Sequence, residues 1–70
     1  MNKKYIESLA KRIKELRAKH GFSQDELSFR ADIARSTLGN IETAKNDITF
    51  TKICKIAQAF DMSISEFFNY

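Results

Sequence analysis

Residues 22–42, FSQDELSFRADIARSTLGNIE, decide the reading of this chain. Ser23 and Glu26 make the S-x-x-E pattern of a capping box, so a helix is expected to begin at Gln24. Phe22 before the cap and Leu27 in the helix are spaced as a hydrophobic staple, which fixes the angle at which the chain enters. Leu27 and Ala31 share one face at i and i+4, and the segment stops near Asp32. After Ile33, the run Ala34-Arg35-Ser36-Thr37 is small or polar, while Leu38 and Ile41 supply the inner face of a second short helix. Two short helices joined by a tight turn form a helix-turn-helix.

Outward from this stretch the apolar spacing stays helical. Ile6, Leu9, Ala10, Ile13 and Leu16 follow the i, i+3, i+4, i+7 rule and predict a first helix over about Lys3 to Lys19. Lys11, Arg12, Lys14 and Glu15 fall off that stripe, as a solvated face does. His20-Gly21 ends the helix, with Gly21 in the left-handed position that a Cβ resists and His20 favoured by the helix dipole. The loop Thr43-Ala44-Lys45-Asn46-Asp47-Ile48 follows the motif. Thr49 can cap a fourth helix with inner face Phe50, Ile53, Ile56, Ala57 and Phe60, and Cys54 lies at its flank as a small packing residue. Ser63 and Glu66 form a second capping box, opening a short fifth helix that runs into Phe67-Phe68-Asn69-Tyr70. With no Pro, only two Gly, and no repeats, low-complexity stretch or linker, the expectation is all-α: one compact five-helix bundle over residues 1–70.

Composition narrows the function classes. Hydrophobic content of 43% and charged content of 30% are those of an ordinary soluble globular protein. No apolar run approaches the roughly 20 residues of a membrane span. Met1-Asn2-Lys3-Lys4 is followed by an amphipathic segment rather than the apolar core of a signal peptide. The single Cys54 excludes an internal disulfide and fits a reducing cytoplasm. One His and one Cys, with no helically paired carboxylates beside either, form no acid–base or nucleophilic constellation and no metal-ligand set, so neither an enzyme nor a cofactor or metal is expected. The net charge of +3 is uneven: residues 1–22 hold seven Lys/Arg against Glu7 and Glu15, +5, and the remainder is −2. A basic balance fits nucleic acid and simple solubility alike, so the motif has to decide.

The pattern resembles the lambda-repressor-like, Cro/repressor-type (XRE) helix-turn-helix regulators. In that family the motif starts at a Gln, here Gln24, with apolar residues where this chain has Leu27, Ala31, Ile33, Leu38 and Ile41, and a small residue at Ser28. Leu16-Arg17, Gly21, Glu42, the helix from Ile53 to Phe60 and the closing Met62-Ser63-Ile64-Ser65-Glu66-Phe67 fit the flanking pieces, so the resemblance covers about residues 9 to 68. It implies a transcriptional regulator whose third helix enters the major groove of double-stranded DNA. The chain departs from the pattern at Asp32 and Ala44, where Gly is usual, and at Ile48, where Pro is usual. Gly39 inside the reading helix either lets the backbone approach phosphates or is unused surface.

The first turn of a reading helix reaches furthest into the groove. Arg35 sits there, and its guanidinium suits bidentate bonding to guanine O6 and N7, or else it salt-bridges or lies in solvent. By resemblance, the base-reading positions are Ala34, Arg35, Ser36 and Asn40. Phosphate contacts, which hold register without reading sequence, are expected from Gln24, Thr37, Thr43, Lys45 and Asn46; for Lys45 a plain solubilising role is equally open. Arg17 continues the apolar stripe of helix one, an odd place for an unpaired charge. The resemblance implies a partly buried salt bridge from Arg17 to Glu42 that orients the reading helix, so Arg17→Met is expected to fold and to bind DNA worse. A two-fold homodimer on a palindromic operator is expected, with Phe60, Ile64, Phe68 and Tyr70 as interface candidates; for Phe68 and Tyr70 the alternative is that they close the core. Small phage repressors and restriction-modification controller proteins are the nearest types implied, with a cytoplasmic, nucleoid-associated location. The alternative is an antitoxin-type or protein-interaction module that keeps the fold.

Overall fold

A computed structural model describes residues 3–70. Met1 and Asn2, at the head of the charged start, lie outside the described residues. Five helices follow in order: α1 (Lys3–His20), α2 (Gln24–Ala31), α3 (Arg35–Glu42), α4 (Phe50–Ala59) and α5 (Ile64–Phe67). Helix α2 packs on both α3 and α4, α1 packs on α3, and α4 carries α5. One core runs through all five, built on Ile13, Leu27, Leu38, Ile56 and Phe67, the largest side chains removed from solvent. Burying such a side chain contributes about 1.5–3 kcal/mol, which is how a chain this short holds an assembly of short helices. No helix among the described residues is long and apolar enough to cross a membrane.

The helix starts follow the caps read from sequence. The hydroxyls of Ser23, Thr49 and Ser63 accept the backbone N–H groups of Glu26, Lys52 and Glu66. The two capping boxes differ, however. At α5 the bonding is reciprocal, since Ser63 N–H also donates to Glu66 Oε1 at 2.8 Å. At α2 only half of it forms: the Glu26 carboxylate turns to Arg30 one turn on, at 2.9 Å. Arg30 in turn lies over the Phe22 ring, 4.6 Å from its centre, and an i, i+4 ion pair wins the glutamate.

Four helix ends share one device. Past α1, α2, α3 and α4 a single residue takes a left-handed backbone: Gly21 (φ 71°), Asp32 (φ 55°), Ala44 (φ 58°) and Asp61 (φ 56°). Around each, the next residue's N–H bonds back five positions: Phe22 to Arg17 O, Ile33 to Ser28 O, Lys45 to Asn40 O and Met62 to Ala57 O. This Schellman pattern satisfies carbonyls the helix would otherwise leave open. Only the first uses glycine. Asp32 is also gripped by Lys55 of α4, whose ammonium lies 3.3 Å from its carbonyl oxygen.

Several expectations need correction. Phe50, expected on the inner face of α4, is 64% exposed. It opens the helix, and helical side chains lean toward the N-terminus, so it projects past the packed surface. Phe60, a candidate for the dimer contact, is 3% exposed and stacks on Phe22 at 5.9 Å and against His20 at 4.8 Å. Arg12 is not simply solvated: it donates to the carbonyls of Phe67 (2.8 Å) and Glu66 (2.9 Å), with Tyr70 over its guanidinium at 5.4 Å. Helix α1 also runs one residue further than expected, to His20, whose Nδ1 lies 2.9 Å from Leu16 O.

Candidate nucleic-acid interface

Helix α3 buries Leu38, Ile41 and Glu42 and leaves Ala34, Arg35 and Ser36 exposed at its start. Helical geometry puts Ser36, Asn40 and Thr43 in one row and Arg35 with Gly39 in the next. The result is a continuous polar strip down the outer side of a helix backed by α1 and α2. Ala34 offers no side-chain cap, so the first turn of α3 carries nothing bulky in front of Arg35.

Behind the strip runs a chain of five side chains. Glu42, 2% exposed, takes Arg17 Nε on Oε2 at 2.9 Å and Arg17 Nη2 on Oε1 at 3.1 Å, a bidentate ion pair. Arg17 Nη1 donates to Phe22 O at 3.1 Å. Gln24 Nε2 adds a third bond to Glu42, onto Oε1 at 2.7 Å. The other end of the Gln24 amide, Oε1, accepts Arg35 Nη2. Arg35 Nε then donates to Asp25 Oδ1 at 2.9 Å. One network thus joins α1, the end of α3, the start of α2 and the start of α3. No buried side-chain polar atom among the described residues lacks a partner. A bidentate pair of this kind fixes geometry as well as charge, and it ties α1 to the end of α3.

The other candidates fall into two groups. Lys45 and Asn46 are exposed beyond the end of α3, and Thr43 is exposed beside them. The Thr43 hydroxyl already donates to α3 carbonyls, Gly39 O at 3.0 Å or Asn40 O at 3.3 Å. Thr37 and Asn40 are half-buried on the flank of the helix. Gln24 is half-buried at the head of α2 and is engaged on both ends of its amide. Gly39 lies beside Arg35: a Cβ built there would lie 3.2 Å from Nη1, which would have to give by a few tenths of an ångström. Sequence reading left open that Arg35 salt-bridges, and in the structure it does; its partner Asp25 could not be named, because ten residues and a turn separate the two and no periodicity relates them. In the C-terminal segment Phe68 and Tyr70 are exposed, their ring centres 6.5 Å apart, while Ile64 is half-buried. No group of three or more His, Cys, Asp or Glu among the described residues could hold a metal ion.

Comparisons with known proteins agree with this fold. A protein from Archaeoglobus fulgidus named as an uncharacterized HTH-type transcriptional regulator is 35% identical over 57 residues, 81% of each chain. The crystal structure of the restriction-modification controller protein C.AhdI from Aeromonas hydrophila superposes with a TM-score of 0.85 at 32% identity, over 90% of this chain and 96% of that one. An HTH_3-family transcriptional regulator from Vibrio cholerae superposes with a TM-score of 0.89 at 28% identity, over 97% of this chain and 38% of that longer one. The family model described as Helix-turn-helix matches residues 13–67, from the middle of α1 to the end of α5. This protein belongs to the helix-turn-helix (HTH_3) family.

Proposed function

We propose that this protein is a sequence-specific regulator of transcription that binds double-stranded DNA by laying α3 in the major groove. The observation that carries this is the strip Ala34, Arg35, Ser36 and Asn40 on a helix locked from behind by the Arg17–Glu42–Gln24 network. Arg35 and Asn40 match guanine and adenine edges, and Ser36 bonds either. Gln24, Thr37, Thr43, Lys45 and Asn46 flank the strip and serve as phosphate contacts, holding register. A single α3 spans only a few base pairs, so the working form is a homodimer on a two-fold operator. The exposed pair Phe68 and Tyr70, with Ile64 beside them, supplies its contact face. The likeness to a controller protein supports a restriction-modification controller or a phage-type repressor as the biological setting.

The test is a gel shift with the DNA upstream of the gene, at two salt concentrations, for wild type, Arg35→Ala and Lys45→Ala. Arg35→Ala should cost about 1–3 kcal/mol and relax one base position, whereas Lys45→Ala should weaken all sequences alike and flatten the salt dependence by about one charge. Wild-type behaviour of both variants would remove these residue assignments. A protein-interaction role has one observation in its favour: Phe29 on α2 is 82% exposed close to Ala34. Under that reading, Phe29→Ser abolishes partner capture while DNA is never bound.

A further inference from the structure

A guanidinium carries five N–H donors in a fixed fork. In Arg35, Nε–H is held by Asp25 Oδ1 and one Nη2–H by Gln24 Oε1. Both bonds lie on the same edge of the group, the one shared by Nε and Nη2. The outer edge, made by Nη1 and the second Nη2 proton, faces away from both acceptors. Nη1 lies beside Gly39, where a Cβ would come within 3.2 Å of it. Arg35 is half-exposed on a shallow cleft that it lines with Arg17, Ser23, Gln24 and Asp25.

We propose that Asp25 is a specificity-determining residue of this interface. It grips Arg35 by the inner edge and presents the outer edge to a single guanine. The inference rests on the DNA-binding reading above. An unrestrained arginine on a first turn has two places to put its charge: a guanine edge, or the nearest phosphate. Only the guanine carries sequence information. The Asp25 carboxylate competes with phosphate for the guanidinium and repels the backbone in its own right, yet it leaves free the two donors that guanine O6 and N7 accept. Holding the side chain beforehand also lowers the ordering cost at contact. Asp25 itself is 86% exposed, so its role is not to support the core.

The experiment is selection from a random duplex pool with wild type, Asp25→Ala, Asp25→Asn and Arg35→Ala, with melting curves as the fold control. Wild type should select a motif with one guanine that disappears in Arg35→Ala. Asp25→Ala should keep the fold, bind random-sequence duplex several-fold tighter, and lose about tenfold of its preference for that same guanine. Asp25→Asn, which keeps an acceptor but not the charge, should fall between. Affinities that rise in parallel for the selected and random duplexes, with the guanine preference intact, would reduce Asp25 to a surface charge and overturn the proposal. A wild-type motif that survives in Arg35→Ala would overturn it too, while leaving DNA binding in place. If wild type selects no motif at all, the DNA-binding reading fails and takes this inference with it.

Discussion

Arg17 and Arg35 stand on either side of Gln24, each in an ion pair with a carboxylate at 2.9 Å, yet they do opposite things. Arg17 meets a carboxylate that is out of solvent and bonded three times over. Arg35 meets one that is almost wholly in water and bonded once. Exposed pairs contribute little to stability, whereas removing one member of a buried pair strands the other's charge. The same pairing of guanidinium and carboxylate is therefore buried and cross-bonded at one place and open to water at another. Gln24 transmits between them, its amide nitrogen on the buried pair and its oxygen on the exposed one.

Removing the buried carboxylate gives the largest expected effect. Glu42→Ala should cost about 3 kcal/mol in chemical denaturation, because Arg17 and Gln24 lose their shared acceptor. Arg17→Met together with Glu42→Leu should recover much of that loss while DNA binding stays weak; a double variant as unstable as Glu42→Ala would show that packing, not charge, is at stake. Arg17→Met alone leaves Glu42 with Gln24 as its remaining side-chain donor, so it should fold but be less stable than wild type. Gly39→Ala comes next. It should raise stability by up to about 1 kcal/mol through helix propensity, and its methyl asks Arg35 Nη1 to give by only a few tenths of an ångström, so specific binding should change much less than in Arg35→Ala. Ala44→Gly should relieve a left-handed alanine and stabilise by about 0.5–1 kcal/mol, with no change in sequence preference. Smallest is the stability change in Arg35→Ala, within about 0.5 kcal/mol. A larger loss on denaturation would mean that the exposed pair is structural after all.

The acid limb of the stability curve offers a separate check. The Glu66 carboxyl sits below its ordinary value because the Ser63 backbone N–H, and then the Ser63 hydroxyl, bond its charged form. A carboxyl depressed in the fold contributes above its ordinary value, and that contribution is lost as pH falls through the depressed one. Glu66→Gln should therefore melt with less acid dependence than wild type below about pH 4.5.

Periodicity and caps made most of the bundle legible. Ser23, Thr49 and Ser63 start their helices, and the stripe from Leu9 to Leu16 and the row Leu27, Ala31, Leu38, Ile41 are buried as their spacing requires. Helix stops were readable at Gly21 and, through a tolerant Asp, at Asp32. Ala44 was not, because nothing about alanine announces a left-handed backbone. The stripe of α4 misled only at its start: Phe60 is covered as its spacing requires, while Phe50, three turns earlier, is exposed. The side-chain network was half legible. Arg17 stood out as a charge among apolar neighbours and Gln24 as the opening of the motif, while Asp25 and Arg12 looked like ordinary surface until folding gave them partners.

Arg12 of α1 also holds the last helix. The short α5 ends on two carbonyls held by a guanidinium from α1, and Tyr70 lies against that same guanidinium. In a pair of molecules joined through Phe68 and Tyr70, the separation of the two reading helices is thus anchored in the first helix of each. Loosening Arg12 would alter how many base pairs lie between half-sites before it altered which bases each half prefers.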